Sequence, residues 1–282
     1  MLATWNYQPN NSVVQQFDPR ARLVFLLLFL TSVYLFWDLR ILALFVLLAL
    51  VTVLAAHISW CETRRTWLAL GIFIVLYSLI TLFTGQTSLL HVSVVHTILS
   101  FHASFAVLGW HPGIDLTIEQ LFMSLCVFAR ILTIASMVLL FAFTLDPSLY
   151  GVTFRGLGLP DKVAFTLDLT MRFVPSLSRD FALTTDAQRA RGYELEGGKG
   201  KIVERMRRLA PLLVPVVVHS LISADELTDA MDLRAFGTHP RTWLHELHIS
   251  RRDQVLIACG ILLLLASLAA NLLGYGGLWV PA

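Results

Sequence analysis

The chain has 282 residues, of which 56% are hydrophobic and 14% are charged, whereas about a quarter of the residues in soluble domains are charged. This composition argues against an ordinary soluble enzyme and against a disordered protein. The net charge of +2 at pH 7 does not by itself indicate any class of partner. Long uncharged runs indicate an integral membrane protein instead, because a helix needs about 20 apolar residues to cross a bilayer.

The uncharged runs predict an all-α membrane protein with about five transmembrane helices. These cover about 22–38, 40–58, 66–84, 120–145 and 254–274. Basic residues flank the runs at Arg20, Arg22, Arg64 and Arg65, and none lies between Arg65 and Arg130. The positive-inside rule then predicts a cytoplasmic N-terminus and an extracytoplasmic C-terminus. The polar first 22 residues are too long and too weakly basic for the start of a signal peptide, and no small-residue cleavage site follows the apolar run. We therefore expect the first span to be retained.

One further apolar segment lies within the N-terminal region, residues 1–145. A single extra span there would reverse the sides of the flanking loops. Residues 89–111 are therefore expected to form a re-entrant or extracytoplasmic helix, or a pair of short helices. His91, His96 and His102 are spaced five and six apart, which does not place them on one helix face. Polar residues at the outer interface are a better interpretation than a metal site.

A charge-rich insert separates the fourth and fifth spans. Asp146–Gln254 contains 15 of the 21 Lys and Arg residues and 14 of the 19 Asp and Glu residues. We therefore assign 146–253 to the cytoplasm and 254–282 to the last span and an extracytoplasmic C-terminus.

Two long helices are predicted in the insert. The first is Lys162–Arg191, interrupted by Pro175, and the second is about Lys201–Arg234, with Pro211 and Pro215 among Leu and Val. Helices this apolar must bury their faces against the bilayer, each other or a partner.

Signatures of enzymes are missing from the sequence. Gly197–Gly200 is rich in glycine, but Gly200 stands where a nucleotide loop needs Ser or Thr. His245–His248 is one residue shorter than the H-E-x-x-H zinc motif. The three cysteines are far apart, which predicts no disulfide framework or zinc site. We predict no catalytic residues and no metal ligands.

Three arginines remain as candidates for function. Arg130 lies inside a predicted span, where a charge is costly and usually faces the bundle interior. Arg191 and Arg234 end the two long helices, each shortly before a glycine. A cation in the last turn complements the helix dipole. The planar guanidinium can equally act as a multidentate donor into a partner's groove, and both interpretations stay open.

At these residues the sequence resembles the T component (EcfT/CbiQ family) of energy-coupling-factor (ECF) transporters, which import vitamins and metal ions. The resemblance covers nearly the whole chain. It rests on five segments in order: Phe17–Arg22, Thr117–Glu119 through Arg130, Arg172–Pro175, Ala187–Gly192 and Pro211–Phe236.

The resemblance implies a function for each of these groups of residues. It implies that two three-residue motifs dock on ATPase subunits, namely Ala190-Arg191-Gly192 and Leu233-Arg234-Ala235. It implies a coupling-helix role for Arg172, Pro175, Gln188, Pro211, Pro215, Asp225, Glu226 and Met231. The second docking motif departs from the usual Ala-Arg-Gly, and His219 stands where Arg is frequent, so local packing there is open.

The implied protein is a non-catalytic coupling subunit in the cell membrane of a prokaryote. Its expected partners are two ABC ATPase subunits (EcfA-type or a homodimer), a membrane-embedded substrate-binding S component and the lipid bilayer, with no nucleic acid. It would need no cofactor, because the ATPase subunits would bind ATP. The S component would choose the vitamin or other micronutrient, through a dedicated or a shared module. The alternative is a stand-alone polytopic membrane enzyme or channel with Arg130 at its site.

Overall fold

The computed structural model describes residues 13–56, 60–84, 97–102, 113–193, 202–238, 247 and 249–275. They belong to two compact units. The membrane unit comprises the described residues within Asn6–Leu145 and His248–Ala282. The insert unit comprises those within Asp146–Leu247, so it begins where the charge-rich segment of the sequence begins.

The described part of the membrane unit consists mainly of helices. These are α1 (Pro19–Tyr34), α2 (Leu39–Ala55), α3 (Trp60–Thr84), α4 (Ile118–Thr144) and α8 (Arg251–Ala270). A 3-10 helix, Val13–Gln16, precedes α1, and a π-helical turn, Asn271–Tyr275, follows α8.

Short polar side chains begin three of these helices. Asp18 and Asp38 each accept a hydrogen bond from the backbone N–H two residues later, and Pro19 occupies the first position of α1. Ser250 and Asp253 form a capping box at the start of α8, where each side chain bonds the other residue's backbone N–H.

Three of the predicted spans coincide with helices long and apolar enough to cross a bilayer. These stretches are Thr63–Leu82, Gln120–Thr144 and Arg251–Gly274. α1 and α2 have only 16 and 17 residues. At about 1.5 Å per residue they are shorter than the hydrocarbon core of roughly 30 Å, so a crossing there needs flanking residues. The predicted class, an all-α membrane protein, is confirmed.

A two-stranded sheet departs from the predicted pattern. Within 89–111 we expected helices, but the structure has a strand, β1 (Thr97–His102), which pairs antiparallel with β2 (Gly113–Thr117). β-branched and aromatic residues favour this conformation, and the ladder satisfies the backbone groups without a helix. The other residues of 89–111 lie outside the described part of the chain.

Large apolar side chains fill the core of the membrane unit. α1 packs mainly on α8, while α2 and α3 pack on α4. The buried rings of Phe29 and Phe45 meet edge to face, with centroids 5.4 Å apart. A Cβ added at Gly260 would lie 3.1 Å from a Leu28 carbon and 3.2 Å from a Phe25 carbon, so this glycine allows α8 to approach α1 closely.

A hydrogen-bond network of Asp18, Arg22, Thr144, Ser250 and Asp253, here called the helix-end network, joins the ends of three helices. The N–H of Asp18 donates to Asp253 Oδ1 at 2.8 Å, and Arg22 Nη1 donates to the carbonyl oxygen of Thr144 at 3.1 Å. Asp253 Oδ2 also accepts from the N–H of Ser250 at 2.7 Å. The network thereby connects the starts of α1 and α8 to the end of α4.

The described part of the insert unit is helical as well. After a 3-10 turn, Pro147–Leu149, come α5 (Tyr150–Gly156), α6 (Asp161–Ala190) and α7 (Ile202–Leu233). α5 packs closely on α6, because a Cβ at Gly151 would lie 2.7 Å from the Ala164 carbonyl oxygen. Both long helices continue past their internal prolines, so the two long helices predicted from the sequence are confirmed.

Part of α7 is apolar enough to resemble a membrane span. Ala210–Leu233 meets the same criteria of length and composition as the spans in the membrane unit. The charge of the whole insert predicts that this stretch is cytoplasmic, and Asp225, Glu226, Asp229 and Asp232 lie in its second half. All four acidic side chains are exposed, which fits a helix with an apolar first half and an aqueous second half.

Replacing Asp253 with Ala is expected to lower the free energy of unfolding by about 2–3 kcal/mol. The change removes the acceptor for the buried Asp18 N–H and the capping box of α8. Thermal unfolding of the purified chain in detergent measures the effect. Asp229→Ala, at an exposed position of α7, is the matched control and should change stability by less than about 0.5 kcal/mol. Equal melting temperatures for the two variants would contradict the role of the network.

Candidate functional site

The first predicted docking arginine, Arg191, occupies the C-cap position of α6. Gly192 has a φ of 80°, and its N–H donates to the Arg189 carbonyl oxygen at 2.9 Å. The N–H of Tyr193 donates to the Gln188 carbonyl oxygen at 3.0 Å. This pair of bonds is a Schellman motif, which satisfies the last carbonyls of a helix with backbone groups alone. The guanidinium of Arg191 is therefore not needed to cap its own helix.

The second arginine, Arg234, occupies the same place at the end of α7. The N–H of Ala235 donates to the Asp232 carbonyl oxygen at 2.9 Å, and the N–H of Phe236 donates to the Met231 carbonyl oxygen at 3.0 Å. Ala235 has a φ of 52° and is the one non-glycine residue with a positive φ in the described part of the chain. The departure from Ala-Arg-Gly thus puts a side chain where the backbone favours glycine.

The two helix ends repeat a seven-residue pattern. Ala187–Tyr193 and Ala230–Phe236 both have Ala first, Arg fifth and an aromatic residue seventh. The first carbonyl of each Schellman pair belongs to Gln188 or Met231, two of the predicted coupling-helix residues. The aromatic position was not predicted, although an aromatic residue lies two positions after each arginine in the sequence.

Both arginine side chains are exposed, but their surroundings differ. Neither guanidinium has a hydrogen bond or ion pair with another residue that the structure describes. Beside Arg234, the Leu233 side chain is 89% exposed and that of Phe236 is 37% exposed. Beside Arg191 lie the small Ala190 and the polar Gln188. The end of α7 therefore combines a cation with apolar surface, whereas the end of α6 is mainly polar.

Contacts between α6 and α7 show how the two ends are arranged within the insert unit. The rings of Phe165 and Phe236 lie 4.8 Å apart between centroids, and His219 Nδ1 lies 3.7 Å from an Asp180 carboxylate oxygen. The beginning of α6 is thus near the end of α7, so the helices run in opposite senses. From Phe165 to Arg191 the helical rise amounts to roughly 39 Å. The arginines consequently lie at opposite ends of the pair.

The other predicted coupling-helix residues lie along the same two helices. They are Arg172 and Pro175 in α6 and Pro211, Pro215, Asp225 and Glu226 in α7, all with exposed side chains. Because these side chains are exposed within the insert unit, they are available to a membrane or a partner.

Arg130, the intramembrane candidate, is enclosed by the turn between α1 and α2. Its Nη2 donates to the carbonyl oxygen of Phe36, and its guanidinium carbon lies 3.9 Å from the centroid of the Trp37 ring. One helical turn earlier, Cys126 Sγ donates to the Trp37 carbonyl oxygen at 3.2 Å. The Arg130 side chain is buried, and its Nε has no hydrogen-bond partner in the described residues. These contacts indicate that Arg130 fixes the turn.

Other motifs from the sequence can be placed only in part. His91, His96, Gly197–Gly200 and the histidines His245 and His248 lie outside the described residues. Among the residues that the structure does describe, no group of three His, Cys, Asp or Glu side chains is arranged to hold a metal ion.

Comparison with known proteins gives a consistent result. The family CbiQ, described as cobalt transport protein, matches residues 10–244. The chain is 28% identical to the energy-coupling factor transporter transmembrane protein EcfT of Lactococcus lactis subsp. cremoris, over 91% of this chain and 93% of that protein. It is 29% identical to the EcfT protein of Bacillus selenitireducens, over 95% and 96% of the two chains. The EcfT protein of Lacticaseibacillus paracasei is 40% identical over 110 residues, 37% of this chain and 41% of that protein.

Gly192 and Ala235 both have a positive φ, and replacing each with the other residue type is expected to change local stability in opposite directions. Ala235→Gly should stabilise the last turn of α7 by about 1 kcal/mol, because glycine adopts positive φ without steric cost. Gly192→Ala should destabilise the end of α6 by a similar amount. Amide hydrogen exchange at Phe236 and Tyr193 measures both effects as roughly five-fold changes in protection. Unchanged or reversed protection would contradict the Schellman assignment.

Replacing Arg130 with Leu is expected to lower the free energy of unfolding by about 2–3 kcal/mol, because the Phe36 carbonyl would be buried without a donor. Thermal unfolding in detergent measures it, and Arg65→Leu, at an exposed position of α3, is the control. A catalytic or channel role for Arg130 would be supported instead by lost activity at unchanged stability.

Proposed function

The chain belongs to the CbiQ family of cobalt transport proteins, and we propose that it is the transmembrane coupling (T) component of an ECF importer. The similarity to EcfT proteins over more than nine-tenths of the chain supports this assignment. In this proposal two ATPase subunits hydrolyse ATP and a separate S component binds the substrate. The chain itself carries out no covalent chemistry and transmits motion between them.

The observation that carries the proposal is the pair of matching helix ends in the insert unit. Each presents an exposed arginine on a turn in which backbone N–H groups already bond two of the last carbonyls through a Schellman motif. A guanidinium offers five donors in a fixed plane and suits a polar groove on a partner. Since the two arginines lie at opposite ends of the helix pair, each would dock on a different ATPase subunit.

The rigidity of α6 and α7 is what would let them transmit force. Each is a single helix of 30 or more residues, and α5 packs closely on the first turns of α6. Movement of one ATPase subunit against the other would therefore displace one helix end relative to the other. We propose that this displacement changes the surface presented to the S component.

The surface proposed to meet the S component is the apolar half of α7. Its exposed apolar side chains are Leu213, Val214, Val217, Val218, Leu221 and Ile222. Burial of such a surface requires lipid or a membrane-embedded partner. The S component would choose the substrate, so the chain's own residues would not select it.

The topology we propose follows from the helix ends. The helix-end network brings the starts of α1 and α8 together with the end of α4. Arg20, Arg251 and Arg252 lie in or beside the first turns of α1 and α8. By the positive-inside rule this side faces the cytoplasm of a prokaryotic cell.

Reversing the charge of the two arginines is expected to release the ATPase subunits. Arg191→Glu or Arg234→Glu should each weaken ATPase binding by about 30-fold or more, the loss of a central interface residue, and the double variant should bind least. ATPase retained on the affinity-purified chain and ATP-driven substrate uptake in vesicles measure the effect.

Arg179→Glu, an exposed arginine in the middle of α6, is the matched control. It changes the net charge of α6 by the same amount at a position away from either helix end, and should leave binding and uptake near wild type. Wild-type binding and uptake by the double variant would contradict the docking assignment.

A further inference from the structure

A cavity of about 220 Å³ lies inside the membrane unit, among α1, α2, α4, α8 and the 3-10 helix Val13–Gln16. Phe25 and Leu26 of α1, Phe141 of α4 and Leu256 of α8 are among the residues that line it, and it is partly open to the surroundings. An apolar cavity of about 150 Å³ is large enough to bind benzene. This cavity therefore has room for a segment of a hydrocarbon chain.

The two threonine hydroxyls of the lining offer little to a hydrated ligand, because each already donates to a backbone carbonyl of its own helix. Thr52 Oγ1 donates to the Ala49 carbonyl oxygen at 2.8 Å, and Thr144 Oγ1 donates to that of Leu140 at 2.7 Å. Arg22 Nη1 donates to the Thr144 carbonyl oxygen at 3.1 Å. Since water in a cavity needs several polar partners, the chemistry of the lining favours an apolar occupant.

The cavity lies at the end of the helix bundle where several arginines are found. It lies at the starts of α1 and α8 and at the ends of α2 and α4. The hydrogen bond from Asp18 to Asp253 places the first turns of α1 and α8 side by side. These turns carry Arg20, Arg251 and Arg252, and the latter two are exposed. The first turns of α1 and α8 thus bring three arginines to the end of the helix bundle at which the apolar cavity lies.

We propose that the cavity holds one acyl chain of an anionic phospholipid whose phosphate is bound by Arg20, Arg251 and Arg252. A phospholipid of the surrounding leaflet combines a hydrocarbon chain with an anionic group at the depth of these helix ends. A soluble hydrophobic ligand would use the cavity but not the arginines. The site is independent of the proposed coupling function, because it needs neither ATPase nor S component.

Native mass spectrometry of the full-length chain tests the site with two defined probes. Palmitoyl-oleoyl phosphatidylglycerol and the phosphatidylcholine with identical chains are added after delipidation. The wild-type chain should retain one phosphatidylglycerol with at least about ten-fold preference over phosphatidylcholine. Equal retention of the two lipids would overturn the proposal.

Ala55→Trp fills the cavity, because Ala55 lines it, and should reduce phosphatidylglycerol retention about ten-fold. Leu54→Trp is the matched control, since the neighbouring Leu54 is not part of the lining. Arg251→Gln with Arg252→Gln should remove the preference for phosphatidylglycerol. Equal retention by Ala55→Trp and the control, or an unchanged preference without the two arginines, would overturn the proposal.

A measurement on the unmodified chain covers the case in which Ala55→Trp fails to fold. Phosphatidylglycerol with a photoreactive group near the end of one acyl chain should crosslink to peptides containing Met137–Thr144 or Leu256. Crosslinks confined to other parts of the chain, such as the exposed face of α3, would overturn the assignment of the cavity.

Discussion

The Asp253 carboxylate is the group on which the arrangement of the membrane helices depends most. One oxygen accepts the N–H of Asp18, which is 235 residues away in the chain, and the other closes the capping box of α8. Only 2% of Asp253 is exposed, so these partners must replace the water that a charged carboxylate would otherwise bind. The Asp253 bonds and the bond from Arg22 to Thr144 together hold the end of α4 and the start of α8 against the start of α1. The insert unit lies between these two points in sequence.

In the insert unit, the two long helices each have an exposed arginine at the C-terminal end. The C-terminus of a helix attracts a cation to its own carbonyls. In α6 and α7 the Schellman bonds satisfy two of these carbonyls with backbone groups, and the side chains of Arg191 and Arg234 are exposed. The two interpretations of these arginines are therefore compatible, since the backbone ends the helix and the side chain remains available to a partner. The proposed docking role builds on that separation.

Much of the fold was predictable because its signals are local. The two long helices agree with their predicted bounds to within about one residue. Pro160 and Gly192 mark the ends of α6, and Gly200 and Gly237 lie just outside the two ends of α7. The spans in α3, α4 and α8 follow from uncharged runs. The strand β1 was missed because its stability comes from pairing with β2, which a scan for apolar helices does not detect.

The candidate sites were predictable only in their residue types. The partner of Arg130 lies 94 residues away in sequence, at Phe36, and nothing local points to it. The positive φ of Ala235 was also unexpected, because alanine disfavours it, and the departure from Ala-Arg-Gly was the one available hint. The cavity of the membrane unit could not have been found from sequence, since four helices and the N-terminal 3-10 helix line it together.

We propose that the two ends of the helix pair engage two different ATPase subunits. Photoreactive residues placed at Ala190 and at Leu233, beside each arginine, test this docking most directly in the intact complex. If the subunits are distinguishable by a mass tag, we expect each position to crosslink to one subunit and a chain carrying both to crosslink to two. Crosslinking of both positions to the same subunit, or of neither to an ATPase, would contradict the proposed docking.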